Sequence, residues 1–405
     1  MTQMVRVPQL PWHGTKAFEI SLPDTWDVEV YPMAGAQRPA MTKDEIRASI
    51  LQPMETSRIR ELARGKREIV ILFDDMARVT RVAPIVPFIL EELAEAGIPD
   101  HRIRFIATTG AHGAMNRMDF AKKLGEEILR RFPVYNHHPF DRCTYVGRTS
   151  YGTEVFINAE VMQCDFKIAI GCATPHLFTV FSGGGKNILP GVASYETIGA
   201  NHSLQMDQAT RGNYERNIFR LDLEEAARLV GLDVLVECIV NEWGETVAMF
   251  TGACEPAHAA AVEEARTHYL TPRATDKDIV IANAFARVNE SGSAARLAFQ
   301  SVRGEGGDVV QIRNAPEGQV VHYLFARFGK AESRFGSVMP PIPPHVNHLI
   351  SFTEYPDKAG IGLLGDSDKT LFMSTWSDVL RVLQEFHGSR ASVAVYPNAD
   401  IQYFG

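Results

Sequence analysis

The chain has 405 residues, 45% of them hydrophobic, and a formal net charge of −8. That length allows two to three domains with a sizeable core, and the acidic balance argues against a nucleic-acid partner, which requires a basic face. No apolar run approaches the roughly 20 residues that span a bilayer, the first residues lack the apolar stretch of a secretory signal, and the five cysteines are dispersed without a C-x-x-C pair, so a cytoplasmic protein free of disulfides is expected.

Residues 1–60 read as short strands and turns, with alternation over 18–22 and 26–31 broken by Pro23 and Pro32, and with Ile46 and Ile50 on a short helix. From residue 68 the pattern sharpens. A continuous apolar run at 69–73 predicts a parallel strand buried on both faces, and it leads directly into Asp74-Asp75-Met76-Ala77-Arg78. Ile85, Phe88, Ile89 and Leu93 recur at helical spacing, closed by Gly97 and Pro99. A strand over 103–107 ends in Thr108-Thr109-Gly110-Ala111-His112-Gly113, and a helix follows with Asn116 as its cap and Asp119 three residues on. Strands over 154–157 and 166–170 come next. The second leads into His176, the turn Ser182-Gly183-Gly184-Gly185-Lys186, the break at Pro190-Gly191, and His202.

Further on, Asp222 and Glu225 form a capping-box pattern for a helix ending at Gly231, and strands are predicted over 234–240 and 246–250. A helix over 255–269 stops before Pro272, which marks a domain boundary. A second series then has strands at 279–282, 309–312, 349–352 and 393–396 and helices near 293–302, 317–328 and 378–387, with a proline-rich loop at 340–344. The expected fold class is α/β, with two α/β domains of mostly parallel sheets and a cleft between them. The expected domains are an N-terminal cofactor-binding and catalytic domain, 1–271, and a C-terminal domain, 272–405, closing over the substrate.

The strand–turn–helix repetition has a functional consequence. Right-handed crossovers place every strand-to-helix turn on one edge of a parallel sheet, where ligands of open α/β sheets bind. Asp75, Arg78, His112 and His176 should therefore converge. Three consecutive glycines permit positive φ, so the N–H groups of Gly183, Gly184 and Gly185 can form an anion-binding nest beside the Lys186 cation. The spacing is not that of a Walker A loop, and a flexible surface turn gives the same letters. His112 and His176 lie just past strand ends and suit acid–base chemistry near neutral pH. His137 and His138, adjacent in a loop, have no orienting context, and His101, His258 and His268 fall at positions expected to be exposed. His202 is a candidate metal ligand, although one histidine supplies only one of the several donors a metal needs. Arg78 carries a planar fork for phosphate or carboxylate, or else pairs with Asp75 to cap a turn.

Together these pieces resemble the nickel-dependent lactate racemase family: Asp-x-x-Arg at 75 and 78, Thr-Gly-Ala-His at 109–112, His176 ten residues before Lys186 in Ser-Gly-Gly-Gly-Lys, and His202 sixteen residues further. The resemblance implies a racemase or epimerase of a 2-hydroxy acid that uses a nickel pincer nucleotide, a pyridinium mononucleotide whose two sulfur arms and ring carbon bind nickel together with one protein histidine. By position, Lys186 would carry the cofactor covalently, His202 would ligate nickel, Asp75, Arg78 and Ser182 to Lys186 would hold the nucleotide, with Arg78 near its phosphate or the substrate, and His112 and His176 would be the acid/base pair. The partners implied are a small 2-hydroxy acid and the enzymes that build the cofactor, with no nucleic acid and no membrane.

Two departures stand out. Val79 occupies a position where the family often has proline, and the family's substrate-facing Gln-x-x-Lys pair has Ser293-Ala-Ala-Arg296 as its counterpart, which places Ser293 and Arg296 beside the substrate and points away from lactate. Two other readings of the same residues are a metal-dependent hydrolase or lyase with His112, His176 and His202 as a three-histidine site, and a nucleotide-binding regulatory protein with the glycines cradling phosphate.

Overall fold

The computed structural model describes residues 2–204, 212–325, 334–335, 342–357 and 368–405. The chain forms two compact units. A central unit comprises Arg38–Asn241 and Glu245–Ala265, and a terminal unit comprises Met1–Gln37, Glu242–Gly244 and Arg266–Gly405. The first 37 residues thus group with the C-terminal half, whereas the sequence places a single boundary after residue 271. The cause is long-range pairing: strand Asp27–Val30 joins Ser392–Tyr396 in parallel, and Val7, Ile20 and Leu22 pack into one core with Ile279, Val310 and Ile350.

The central unit is built on a six-stranded sheet in the order Thr246–Gly252, Val234–Val240, Phe166–Cys172, Ile69–Asp74, Ile103–Thr108, Val134–Asn136. All pairings are parallel except that of Thr246–Gly252 with Val234–Val240. Strands Ile69–Asp74, Phe166–Cys172 and Val234–Val240 are buried along their whole length, as continuous apolar runs between two helical layers require. Helix Val86–Glu95 buries Val86, Ile89 and Leu93. Helix Arg117–Leu124 starts in the expected reciprocal cap, Asn116 accepting from the Asp119 N–H and Asp119 accepting from that of Asn116.

The pattern at Asp222 and Glu225 does not begin a helix. Helix Ile218–Val230 starts a turn earlier, capped by Asn217, which accepts from the Arg220 N–H at 2.9 Å. Asp222 is instead fully buried and accepts from Thr149, Thr153 and Asn201, while Glu225 accepts from Ser150. Hydroxyls some seventy residues upstream claim both carboxylates, and local spacing carries no trace of them.

The terminal unit holds a second six-stranded sheet, parallel throughout, in the order Thr370–Met373, Val346–Phe352, Gly307–Ile312, Ile279–Asn283, Ser392–Tyr396, Asp27–Val30. The expected helix over 317–328 does not form across 317–325; residues 326–333 lie outside the described residues, as do Pro340 and Pro341 of the proline-rich loop. Distant groups satisfy this backbone in place of helical bonds: Asn289 Nδ2 donates to the Gly318 carbonyl at 2.7 Å, and Asp357 accepts from the Gln319 N–H at 2.7 Å. No described helix is long and apolar enough to cross a membrane.

His137 corrects another expectation, because it has a full orienting context. It is buried, its Nε2–H donates to the Ala193 carbonyl at 2.8 Å, and its Nδ1 accepts from Asn158 at 3.2 Å. Burial pushes its pKa down to about 4 from an ordinary 6.5. The unfolded chain therefore binds a proton that the folded ring refuses, so this contribution to stability is complete above about pH 6.5 and is lost as pH falls toward 4. The full loss is about 3 kcal/mol at ~1.4 kcal/mol per unit. Asp400, pushed up to about 6 by burial, acts in the opposite sense, so the informative quantity is a difference between variants. Urea unfolding of the native protein and of His137→Gln at about pH 7 and about pH 4.5 should show the native protein losing roughly 2 kcal/mol more than the variant; equal losses would exclude His137 as the source.

Candidate active site

Three neighbouring strands of the central sheet end side by side. Asp74 is in register with Thr108, and Phe73 with Ile170, so the turns carrying Asp75, His112 and His176 leave one sheet edge from adjacent strands. Strand Ile69–Asp74 lies between partners reached in opposite directions along the sheet, which makes this edge the topological switch point. The turns are stitched together: Thr108 Oγ1 donates to Asn187 Oδ1 at 3.2 Å and the Gly110 N–H to the Gly191 carbonyl at 2.9 Å.

Asp75 faces His112. Its Oδ2 lies 2.5 Å from His112 Nδ1, and its Oδ1 accepts from the Ala77 N–H at 3.0 Å. Burial alone would raise the Asp75 pKa, but the adjacent imidazole, with Arg78 behind it, outweighs this and holds the carboxyl below its usual value. A carboxylate can only accept, so His112 Nδ1 carries a hydrogen, and in the neutral ring Nε2 bears the lone pair. Arg78 donates from Nη1 to the Ala77 carbonyl at 2.8 Å, and its own carbonyl accepts from Lys123 Nζ at 2.7 Å. Lys123 is completely buried and also donates to Asp74 at 2.6 Å. A buried cation pinned to the end of one strand and to the following turn fixes where Arg78 begins. Removing one partner of such a pair costs about 3–5 kcal/mol.

The second cluster lies beyond strand Phe166–Cys172. Pro175–His176 and Val180–Phe181 form a miniature antiparallel ladder in which Val180 has φ 66°, a costly conformation for a β-branched residue. The resulting turn directs the N–H groups of Phe178 and Thr179 onto His176 Nδ1, at 3.2 and 3.4 Å. A backbone N–H can only donate, so Nδ1 carries the lone pair and the neutral ring keeps its hydrogen on Nε2. That nitrogen is 2.9 Å from Lys186 Nζ. The Phe178 ring stands edge-on to both His176 and His202, with centroids at 5.8 and 6.2 Å. His202 is buried, and its Nδ1–H donates to the Ile198 carbonyl at 2.9 Å, leaving the lone pair on Nε2.

The glycine turn departs from the expected nest. The Gly184 N–H points inward, donating to Glu237 Oε2 at 2.5 Å, and the Lys186 N–H closes onto the Gly183 carbonyl at 3.1 Å as part of a short 3₁₀ turn, Gly184–Asn187. Gly183 and Gly184 have φ of 95° and 59°, and a Cβ on Gly184 would come within 2.7 Å of the His258 ring, while one on Gly183 would overlap the Glu237 carboxylate. The glycines let the turn press onto a buried Glu237–His258 pair, whose Oε2···Nδ1 distance is 3.2 Å. His258 and His268 are buried, at 3% exposure each, rather than exposed as expected. Ser182 Oγ serves the same closure, donating to the Cys172 carbonyl at 3.0 Å and lying 2.9 Å from Thr174 Oγ1. Glu237 was legible only as one charge inside the apolar run Val234–Val240.

Ser293 and Arg296 lie on helix Gly292–Phe299 of the terminal unit, where Ser293 Oγ approaches the Asp400 carbonyl at 3.4 Å. Among the described residues, the ligand atoms of His112, His176 and His202 are not all within 4.8 Å of one another, so the three do not form one metal site. Burial raises the cysteine thiols, to about 11 at Cys143 and Cys164 and about 12 at Cys172, so none of these three is a thiolate at neutral pH.

Residues 13–213 match the lactate racemase N-terminal domain. The lactate racemase of Lactiplantibacillus plantarum is 30% identical over 290 residues, 68% of this chain and 67% of the relative. That of Thermoanaerobacterium thermosaccharolyticum is 28% identical over 277 residues, 67% of this chain and 63% of the relative. The lactate racemase apoprotein structure from the latter organism superimposes with a TM-score of 0.74 at 20% identity over the whole of both chains, and a Thermotoga maritima protein with 0.64 at 16% over 90% of this chain and 99% of the other. The protein is thus an isomerase, a racemase carried on mostly parallel α/β sheets. The chain belongs to the lactate racemase family.

Proposed function

We propose that the protein interconverts the enantiomers or epimers of a small 2-hydroxy acid, with His112 and His176 as the acid/base pair, His202 as a nickel ligand and Lys186 as the attachment point of a nickel pincer nucleotide. One observation carries this reading: each of the three histidines has Nδ1 engaged by the protein, and the identity of the partner fixes what Nε2 can do. His112, held by Asp75, offers a lone pair and is set as a base. His176, held by backbone N–H groups, offers a hydrogen and is set as an acid. His202, held by a carbonyl, offers a lone pair in a buried setting and suits a soft divalent metal, as second-contact partners of metal-bound histidines do.

The residues present fit the cofactor at two points, the Lys186 amine beside His176 and the His202 lone pair. The Gly184 N–H, engaged by Glu237, is not a phosphate donor, so the nucleotide phosphate would fall to Arg78 and Lys186's neighbours. When bound, the cofactor would supply a hydride acceptor for the substrate C2. The protein's part is proton management. A base on one face takes the hydroxyl proton as C2 becomes planar, and an acid on the other face returns one, with the two rings exchanging roles for the opposite enantiomer. Localisation in the cytoplasm, where the cofactor-building enzymes would act on Lys186, belongs to the same proposal.

The test is protein produced together with those enzymes, examined by intact mass and metal content. A mass adduct mapping to Lys186 with about one nickel per chain, together with chiral interconversion of hydroxy acids, is the expected result; zinc binding without an adduct would favour a hydrolase or lyase. The substrate is expected to be larger or more polar than lactate, because Ser293 is short where the family's pair has glutamine and Arg296 adds a carboxylate-gripping fork. A panel of single-enantiomer hydroxy acids scored by chiral chromatography decides it, and lactate as the fastest substrate would defeat the expectation.

A further inference from the structure

Arg313 sits in the terminal unit immediately past the carboxyl end of strand Gly307–Ile312, which lies within its parallel sheet between Val346–Phe352 and Ile279–Asn283. It is buried, at 3% exposure. Its Nε donates to Ser351 Oγ at 2.7 Å, and among the described residues its two terminal nitrogens make no hydrogen bond or ion pair. Burial pushes its pKa down, and the charge of Asp357, too distant to form an ion pair, restores only part of this. A guanidinium remains charged regardless, so a mostly buried arginine keeps four terminal N–H donors without a protein acceptor among the described residues. A fork so held, with its stem buried and its donors lacking a protein acceptor, is a ready partner for an anion.

The neighbours specify which anion. Gln311 is two residues earlier on the same extended segment and in register with Ser351, so Gln311, Ser351 and Arg313 share one face. Gln311 spends its Nε2 on the Ser291 carbonyl at 2.6 Å, while its buried Oε1 accepts from nothing among the described residues. The face therefore presents an unspent planar donor fork beside an unspent acceptor. A phosphate dianion suits neither, since only one cation is at hand and both Gln311 Oε1 and Asp357 repel extra charge. A monocarboxylate whose adjacent hydroxyl donates to Gln311 satisfies both.

We propose that Arg313, with Gln311 and Ser351, forms a binding site for a small hydroxy-substituted carboxylate at the carboxyl edge of the terminal unit's sheet. The choice of a hydroxy acid rests on the proposed function, but the need for an anion does not, and the measurement requires neither nickel nor turnover. Full-length protein without cofactor is titrated calorimetrically with glycolate, acetate and inorganic phosphate. Glycolate is expected to bind at least about tenfold more tightly than acetate, the ratio one hydrogen bond supplies, with phosphate showing no saturable uptake.

Arg313→Met should abolish glycolate binding and, in the absence of ligand, raise the melting temperature by a few degrees, because an uncompensated charge is replaced by an apolar chain of similar length. Arg313→Lys keeps the charge but loses the fork and should weaken binding. Arg78→Met serves as the control for binding in the central unit. Glycolate binding that survives Arg313→Met and disappears in Arg78→Met would overturn the site, as would equal affinity for acetate or a lowered melting temperature in Arg313→Met, the mark of a merely structural arginine. Absence of hydroxy-acid interconversion by loaded enzyme, with the Arg313-dependent binding intact, would sink the proposed function and leave this site standing.

Discussion

Lys186→Arg is expected to fold normally, keep a positive charge at the same place and fail completely in covalent cofactor retention. Lys186 Nζ lies 2.9 Å from His176 Nε2, on a ring whose Nδ1 accepts from two backbone N–H groups. A lysine amine can release its proton and bond through the lone pair; a guanidinium stays protonated at any pH the protein survives and offers none. Intact mass after production with the cofactor-building enzymes should therefore show an adduct on the native protein and none on the variant, with activity reduced to background. Full activity in a Lys186→Arg preparation would remove the tethered reading.

The second large effect concerns the other histidines. His112→Ala should lower interconversion by about 10²–10⁴-fold while nickel stays bound, the usual contribution of one acid–base group. Asp75→Asn should approach the same loss without deleting the ring. An amide can donate to Nδ1, which moves the imidazole hydrogen to Nε2 and presents an acid where a base is needed. His202→Ala should instead lose metal and, with it, activity, while the mass adduct on Lys186 persists. Metal analysis alongside initial rates separates the two classes. Loss of nickel from His112→Ala would return the three-histidine arrangement to consideration, despite the separation of those ligand atoms among the described residues.

Much of the central sheet was legible in advance because its strands are apolar throughout and punctuated by polar turns. A run such as Ile69–Asp74 has only one environment that suits it, burial on both faces of a parallel sheet, and that environment dictates where Asp75, His112 and His176 emerge. Periodicity likewise placed the helix Val86–Glu95, and local side-chain chemistry placed the cap at Asn116. The misreadings share one cause. At Asp222, His137 and residues 317–325, a local signal was overruled by partners between about twenty and seventy-five residues away, and nothing in a short window encodes them.

What the sequence determined by itself was the set of reactive groups and the sheet edge they share, since strand polarity and crossover handedness follow from chirality and burial alone. The tertiary structure decided the tautomer of each neutral imidazole, because it is set by whichever donor or acceptor the fold brings to Nδ1: a carboxylate for His112, two amides for His176, a carbonyl for His202. It also decided that the Gly184 N–H faces inward onto Glu237 instead of outward as part of a nest, and that Arg313 is buried with its fork unspent among the described residues. Pairings of that kind depend on contacts whose closure entropy is met only when the whole core assembles.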